Sequence, residues 1–151
     1  MLFNWLWATL PSEVNRSAFD FFSFGHICMG IVVFALLSLI STLRNLIDPN
    51  NFKVKLSHWL AFLIGTIIFG IFWEIVENTL IYDWGLKYQN RQDSIVNAIF
   101  DIILVSLGGL ICLGCAYFLY EKIKKYEFVL FYIFDSLIFI LFYIIYLALE
   151  I

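Results

Sequence analysis

Four apolar stretches, about residues 18–46, 57–82, 94–121 and 127–150, each exceed the roughly 20 residues a helix needs to cross the hydrocarbon core of a bilayer. In lipid, every backbone N–H and C=O must find its partner within the structure, which restricts such runs to helices. Composition agrees. The chain is 63% hydrophobic and 14% charged, against about 45–50% and about 25% in soluble domains. The sequence predicts an all-α polytopic membrane protein, four transmembrane helices in a bundle, forming a single membrane domain over 1–151. A formal charge of −3 argues against nucleic acid as a partner. Cys28, Cys112 and Cys115 all lie inside apolar runs. They read as packing residues rather than a disulfide framework, because a free cysteine behaves as a small hydrophobe.

The boundaries follow from local chemistry. Trp5 and Trp7, ahead of Pro11, suggest a short segment 1–16 lying in the membrane interface, where indole rings favour the headgroup level. Ser17, with Asp20 three residues on, is the predicted N-cap of the first helix. Ser57 is the predicted cap of the second helix and Asp93 of the third. The run Asp48-Pro49-Asn50-Asn51 is a turn signal. Arg44, Lys53, Lys55, Lys122, Lys124 and Lys125 flank the first and third loops, while Arg16, Lys87 and Arg91 mark the other side. This bias predicts cytoplasmic first and third loops. Both termini and the 83–92 loop then face outward, into the periplasm or exterior.

Within two of these apolar runs sits a polar pattern that hydrocarbon does not favour: Trp73-Glu74-Ile75-Val76-Glu77-Asn78, then Asp93-Ser94-Ile95-Val96-Asn97, then Asp101. A charged residue at the centre of a membrane helix costs roughly 2.5–3.5 kcal/mol on insertion scales, so such residues usually face the protein interior. A short loop makes the second and third helices antiparallel neighbours. Counting inward in equal steps from Tyr82 and Asp93 pairs Asn78 with Asn97 and Glu74 with Asp101. At 1.5 Å per residue, Glu74 and Asp101 lie roughly 12 Å below the helix ends, and His26 at roughly 9–12 Å on the first helix. Glu77 is about 7.5 Å deep on an adjoining face. Carboxylates converging at low dielectric must share a proton, pair with a cation or bind a metal. His26 is one counter-charge, and Lys87 or Arg91 folding down from the loop is another. Imidazole and carboxylate donors suit Zn, Mn or Fe, whereas an oxygen-dominated set suits Mg or Ca. Simple hydrogen-bonded glue between helices, at ~0.6 kcal/mol per contact, would need only one Asn pair.

The stretch Trp73-Glu74-Ile75-Val76-Glu77-Asn78 followed by Asp93-Ser94-Ile95-Val96-Asn97-Ala98-Ile99-Phe100-Asp101 resembles an uncharacterised family of small bacterial inner-membrane proteins. That family's pattern is Trp-Glu-x-x-Glu-Asn, a loop, then Asp-Ser-x-x-Asn-x-x-x-Asp. His26-Ile27-Cys28-Met29-Gly30 looks like its upstream His-x-x-x-Gly motif. The likeness covers about residues 23–110 and is distantly similar to VanZ-like proteins, small helical membrane proteins associated with glycopeptide-antibiotic resistance. Met29 stands where the family often has a second histidine, the 83–92 loop is shorter than the family's, and the fourth helix carries no resemblance. The resemblance implies a site but brings no reaction with it.

The leading expectation is an integral membrane protein with an outward-facing acidic and histidine pocket. It would bind, and in the catalytic version modify, an amphiphilic or lipid-linked envelope molecule. His26, Glu74, Glu77 and Asp101 are the candidate catalytic and metal-ligating residues, with a divalent metal as the candidate cofactor. Asn78, Asp93 and Asn97 would orient them. Ser94 has no evident base nearby. The alternative is a non-enzymatic oligomeric sensor or scaffold that signals to a cytosolic partner through its basic loops, with the polar cluster as a two-state element. Asp135 on the fourth helix fits that version or a proton path. A proton-coupled carrier would need the chain to form homo-oligomers, and the broken-helix Gly/Pro pattern of transporters is missing. Membrane lipid is the expected partner in every version.

Overall fold

The computed structural model describes residues 5–48, 54–119 and 127–149. Four helices occupy the four apolar runs: α1 (Ser23–Ile47), α2 (Leu56–Val76), α3 (Ile95–Phe118) and α4 (Glu127–Leu149). Each is long and apolar enough to cross a membrane, and the described residues contain no strand beyond one isolated bridge. A π-helical turn, Glu77–Ile81, continues α2. The basic residues Lys53, Lys122, Lys124 and Lys125 lie outside the described residues.

α3 packs against both α1 and α2, and α4 lies chiefly on α1. The core is small and aromatic: Phe34, Trp59 and Phe131 meet with ring centroids 5.4–6.5 Å apart, above Ile31, Leu104 and Cys112. Outward faces carry Ile40, Ile64, Ile103, Leu137 and similar residues in the open, as befits helices solvated by acyl chains. All three cysteines are free.

Two glycines set the separation of α1 and α3. A Cβ on Gly30 would stand 2.0 Å from the Val105 carbonyl oxygen, and one on Gly108 would stand 2.2 Å from that of Ile27. Backbone touches backbone there, the close crossing that small residues permit in membranes. His26 lies one helical turn from Gly30, so this crossing fixes how near α1 brings its imidazole to α3.

The helix starts differ from those read in the sequence. α1 begins at Ser23, six residues after Ser17, because residues 5–22 form a folded strap. The strap pairs Trp7 with Phe19 through N–H···O contacts of 2.8 Å and turns at Asn15, whose φ of 65° is a left-handed angle that Asn tolerates. Its Asp20 carboxylate accepts from the Asn15 and Phe22 N–H groups (3.0 and 2.9 Å), and the Ser23 hydroxyl accepts from the Asp20 N–H (3.0 Å). α2 begins at Leu56, and the Lys55 N–H donates to His58 Nδ1 (2.9 Å) rather than to Ser57. α3 is capped by Ser94, whose hydroxyl accepts from the Asn97 N–H (3.1 Å), and not by Asp93, whose carboxylate is engaged elsewhere.

The strap closes one end of the bundle by binding the start of α3. Ser94 N–H donates to the Asn15 carbonyl (2.8 Å), Ser94 Oγ to that of Arg16 (2.8 Å) and Asn97 Nδ2 to that of Ser17 (3.1 Å). Arg91 Nη1 donates to the Ser12 carbonyl (2.7 Å). The α2–α3 connection is shaped by left-handed Gly85, Gln89 and Asn90.

Candidate functional site: a buried His and carboxylate centre

Beneath this capped end, three helices deliver one polar group each to the same level. His26 (α1), Glu74 (α2) and Asp101 (α3) are all buried, at 6%, 6% and 3% exposure. The imidazole lies between the two acids, with Nδ1 4.0 Å from Glu74 Oε1 and Nε2 3.6 Å from Asp101 Oδ2. The equal-step count thus places Glu74 and Asp101 together, and His26 joins them. Neither separation is a hydrogen bond. His26 Nδ1, Glu74 Oε1 and Asp101 Oδ1 have no hydrogen-bond partner among the described residues. An unsatisfied buried polar atom costs about 1–3 kcal/mol, more when charged, so three at one spot call for a partner that completes them.

One ligand atom from each residue falls within 4.8 Å of the other two. Two donors each ~2.1 Å from a common ion are at most about 4.2 Å apart, and three held tetrahedrally stand about 3.4 Å apart, so a closure of roughly 1 Å would seat a cation. Imidazole plus two carboxylates is a borderline donor set suited to Zn, Mn or Fe.

A second polar layer lies above the first. Lys87 folds down from the loop and is buried. Its Nζ donates to Asp93 Oδ2 and to Asn78 Oδ1 (3.1 Å), and pairs with Glu77 Oε1 at 3.4 Å. Asn78 joins the layers. Its Nδ2 reaches Asp93 Oδ2 (2.8 Å) and Glu74 Oε2 (3.4 Å), and its Oδ1 accepts from the Asp93 N–H (2.8 Å). Burial pushes the Asp93 carboxyl above its usual range, and the Lys87 ammonium opposes that shift. Burial also raises Asp20, against the backbone N–H groups that it accepts from.

Of the orienting residues read in the sequence, Asn78 touches Glu74 directly and Asp93 acts through Asn78. Asn97 does not meet Asn78: it is turned toward the strap, where it holds the Ser17 carbonyl. Glu77 stands outside the His26 group, in a second set with Glu74 and Asp93. Arg91 points away to the strap. The sequence reading missed Asn15 and the structural part of Asp20. An Asn ahead of a Ser-x-x-Asp-x-x-Ser run is the available signal, but it resembles an ordinary capping motif.

His26 and Glu77 also line a cavity of about 640 Å³ between α1, α2 and α4. Its other walls are apolar and aromatic, including Phe22, Phe69, Trp73, Phe139, Tyr143 and Tyr146. On the remote half of α4, Asp135 is buried, with neither carboxylate oxygen hydrogen-bonded among the described residues.

A family described as "Predicted membrane protein (DUF2238)" matches residues 1–122, which takes in the strap, α1, α2 and α3. The chain belongs to this family. No curated protein and no solved structure matches it. The matched region contains every residue of the His26 centre and of the layer above it; α4 lies beyond it.

Proposed function

We propose that this DUF2238 membrane protein binds a divalent metal ion at His26, Glu74 and Asp101 and uses the centre to bind and modify an amphiphilic or lipid-linked molecule of the bacterial envelope. The observation that carries the reading is the set of three buried, unpartnered donor atoms from three helices, with one of the three residues also lining a largely apolar cavity. A hydrocarbon tail fits the aromatic walls, and a polar head would come to rest against His26 and Glu77. A bound metal would supply charge stabilisation and polarise an oxygen of the head. Glu77, partly exposed at the cavity, is then the candidate acid–base residue, and Asn78 and Asp93 hold Glu74 in place. The distant VanZ likeness of the motif favours an envelope substrate. The resemblance to small bacterial inner-membrane proteins favours that membrane, and the charge bias of the loops favours an orientation with the capped end and both termini facing outward.

The test is the metal content of detergent-purified protein beside a Glu74→Gln plus Asp101→Asn variant. The expected result is about one divalent ion per chain in the first and none in the second, with metal-dependent heat stability in the first alone. Two preparations equally free of metal and equally heat-stable would defeat the reading.

A further inference from the structure

We propose that the cavity between α1, α2 and α4 admits a single-chain lipid sideways from the bilayer, and that a partition of four rings, Phe21, Phe22, Tyr88 and Tyr146, limits its head to about the size of a phosphate monoester. The inference rests on the reading above and deepens it, by naming the class of substrate and its way in.

The sides of the cavity decide the route. α1 packs on both α2 and α4, whereas α2 and α4 do not pack on each other among the described residues. The cavity is therefore a groove with α1 as its floor, and its long opening faces acyl chains. Val32, Leu36 and Tyr143 line it and are exposed there, at 41%, 61% and 44%. The upper end is shut. The buried side chains of Lys87 and Asp93 lie over Glu77, and beyond them the strap is bonded to the start of α3. The open path to the groove runs through hydrocarbon rather than through the capped end.

The lining decides the class. From His26 to Leu36 the floor runs about 15 Å at 1.5 Å per residue. Below His26 the lining is apolar and aromatic, and the polar pair His26 and Glu77 stands at the upper end. One polar end on a long apolar groove is complementary to an amphiphile. The volume of about 640 Å³ falls in the range of roughly 300–1,000 Å³ that holds one drug-sized molecule, which means one chain with a small head rather than a two-chain phospholipid. The rings set the limit on the head. Phe22 and Tyr146 line the groove, while Phe21 and Tyr88 line a separate cleft of about 490 Å³ beside the strap. These four rings have centroids 4.0–6.5 Å apart. Aromatic rings at this spacing are in contact, so a head resting at His26 meets a wall and does not run on into the outer cleft. A hydroxyl or a phosphate fits under that wall, and a glycan does not.

The experiment places the full chain in phosphatidylcholine nanodiscs with hexadecyl phosphate carrying a diazirine at the tail end, which is photolysed and mapped by peptide mass spectrometry. Val33 and Phe69, in the groove, should take up several-fold more label than Ile64 and Ile103, which are exposed elsewhere on the bundle. Excess unlabelled hexadecyl phosphate should compete the groove label away, while the same mole fraction of hexadecyl maltoside should not. In Tyr146→Ala, where the partition is breached, the maltoside should compete as well. Even labelling of Val33, Phe69, Ile64 and Ile103 would mean ordinary boundary lipid and overturn the site. Competition by the maltoside in the unaltered protein would overturn the size limit. Both of these arms use the natural sequence, so neither depends on a variant folding. Groove label in Tyr146→Ala that the maltoside still leaves untouched would take the limit away from the rings. Metal bound at His26 with no groove label overturns this inference alone, whereas groove label without metal overturns the metal centre and leaves the lipid route standing.

Discussion

Gly30→Ala tests whether the helix crossing sets the geometry of the centre. The added methyl carbon would meet the Val105 carbonyl oxygen at 2.0 Å, whereas real Cβ contacts stay above 3.0 Å. The obstacle is backbone, so α1 and α3 must part by about 1 Å. That motion would stretch the His26–Asp101 separation of 3.6 Å to roughly 4.6 Å, past the ~4.2 Å that one ion can bridge. Gly114 on α3 supplies the control, since a Cβ there meets nothing within 4 Å. Replacing a helical Gly by Ala gains up to ~1 kcal/mol in propensity, and overpacking costs about 1–3 kcal/mol. Gly30→Ala should therefore fall about 1–3 kcal/mol below Gly114→Ala in detergent-driven unfolding followed by circular dichroism. Its Mn²⁺ affinity should drop at least tenfold while that of Gly114→Ala is unchanged. If Gly30→Ala matches Gly114→Ala in both stability and Mn²⁺ affinity, the crossing does not control the site.

Other substitutions separate the capped end from the metal site. Asn97→Ala leaves the buried Ser17 carbonyl without its donor and should cost about 1–3 kcal/mol, with faster protease cleavage of the strap. Ser94→Ala removes the cap of α3 and should cost ~1 kcal/mol in the same unfolding assay. Trp59→Ala empties the aromatic core at the opposite end and should cost about 3–5 kcal/mol, yet leave the number of metal ions bound by the folded fraction unchanged. Single cysteines at Trp84 and Leu86, both exposed, should react with a membrane-impermeant maleimide from outside intact spheroplasts; protection until lysis would reverse the orientation.

The spans were legible because hydrocarbon demands long apolar helices, and that demand is written in composition. Glu74 and Asp101 were legible for a related reason. They lie in regular helix, where a step of four residues keeps one face. The same count failed for Asn78 and Asn97 because α2 does not stay regular: from Glu77 to Ile81 it widens into a π turn, which rotates the residues around it. The helix starts misled for another reason. Asp93 has the chemistry of a cap, but its carboxylate is taken by Lys87 in the same loop and by Asn78 at the end of α2, while Ser17 lies within the strap, where its carbonyl accepts from Asn97 Nδ2. Nothing local announces such choices.

The strap also constrains the order in which the molecule can be made. Its bonds to Arg91, Ser94 and Asn97 join residues 76 to 80 positions apart. Closing a loop of that length carries an entropy cost that only the finished contacts offset. Asn15 and Ser17 leave the ribosome long before α3 exists, so the lid over the acids cannot shut until the third span has entered the bilayer. Until that moment the carboxylate of Glu74 stands in an unfinished chamber, and α4, which follows α3 in the chain, still has to close its side.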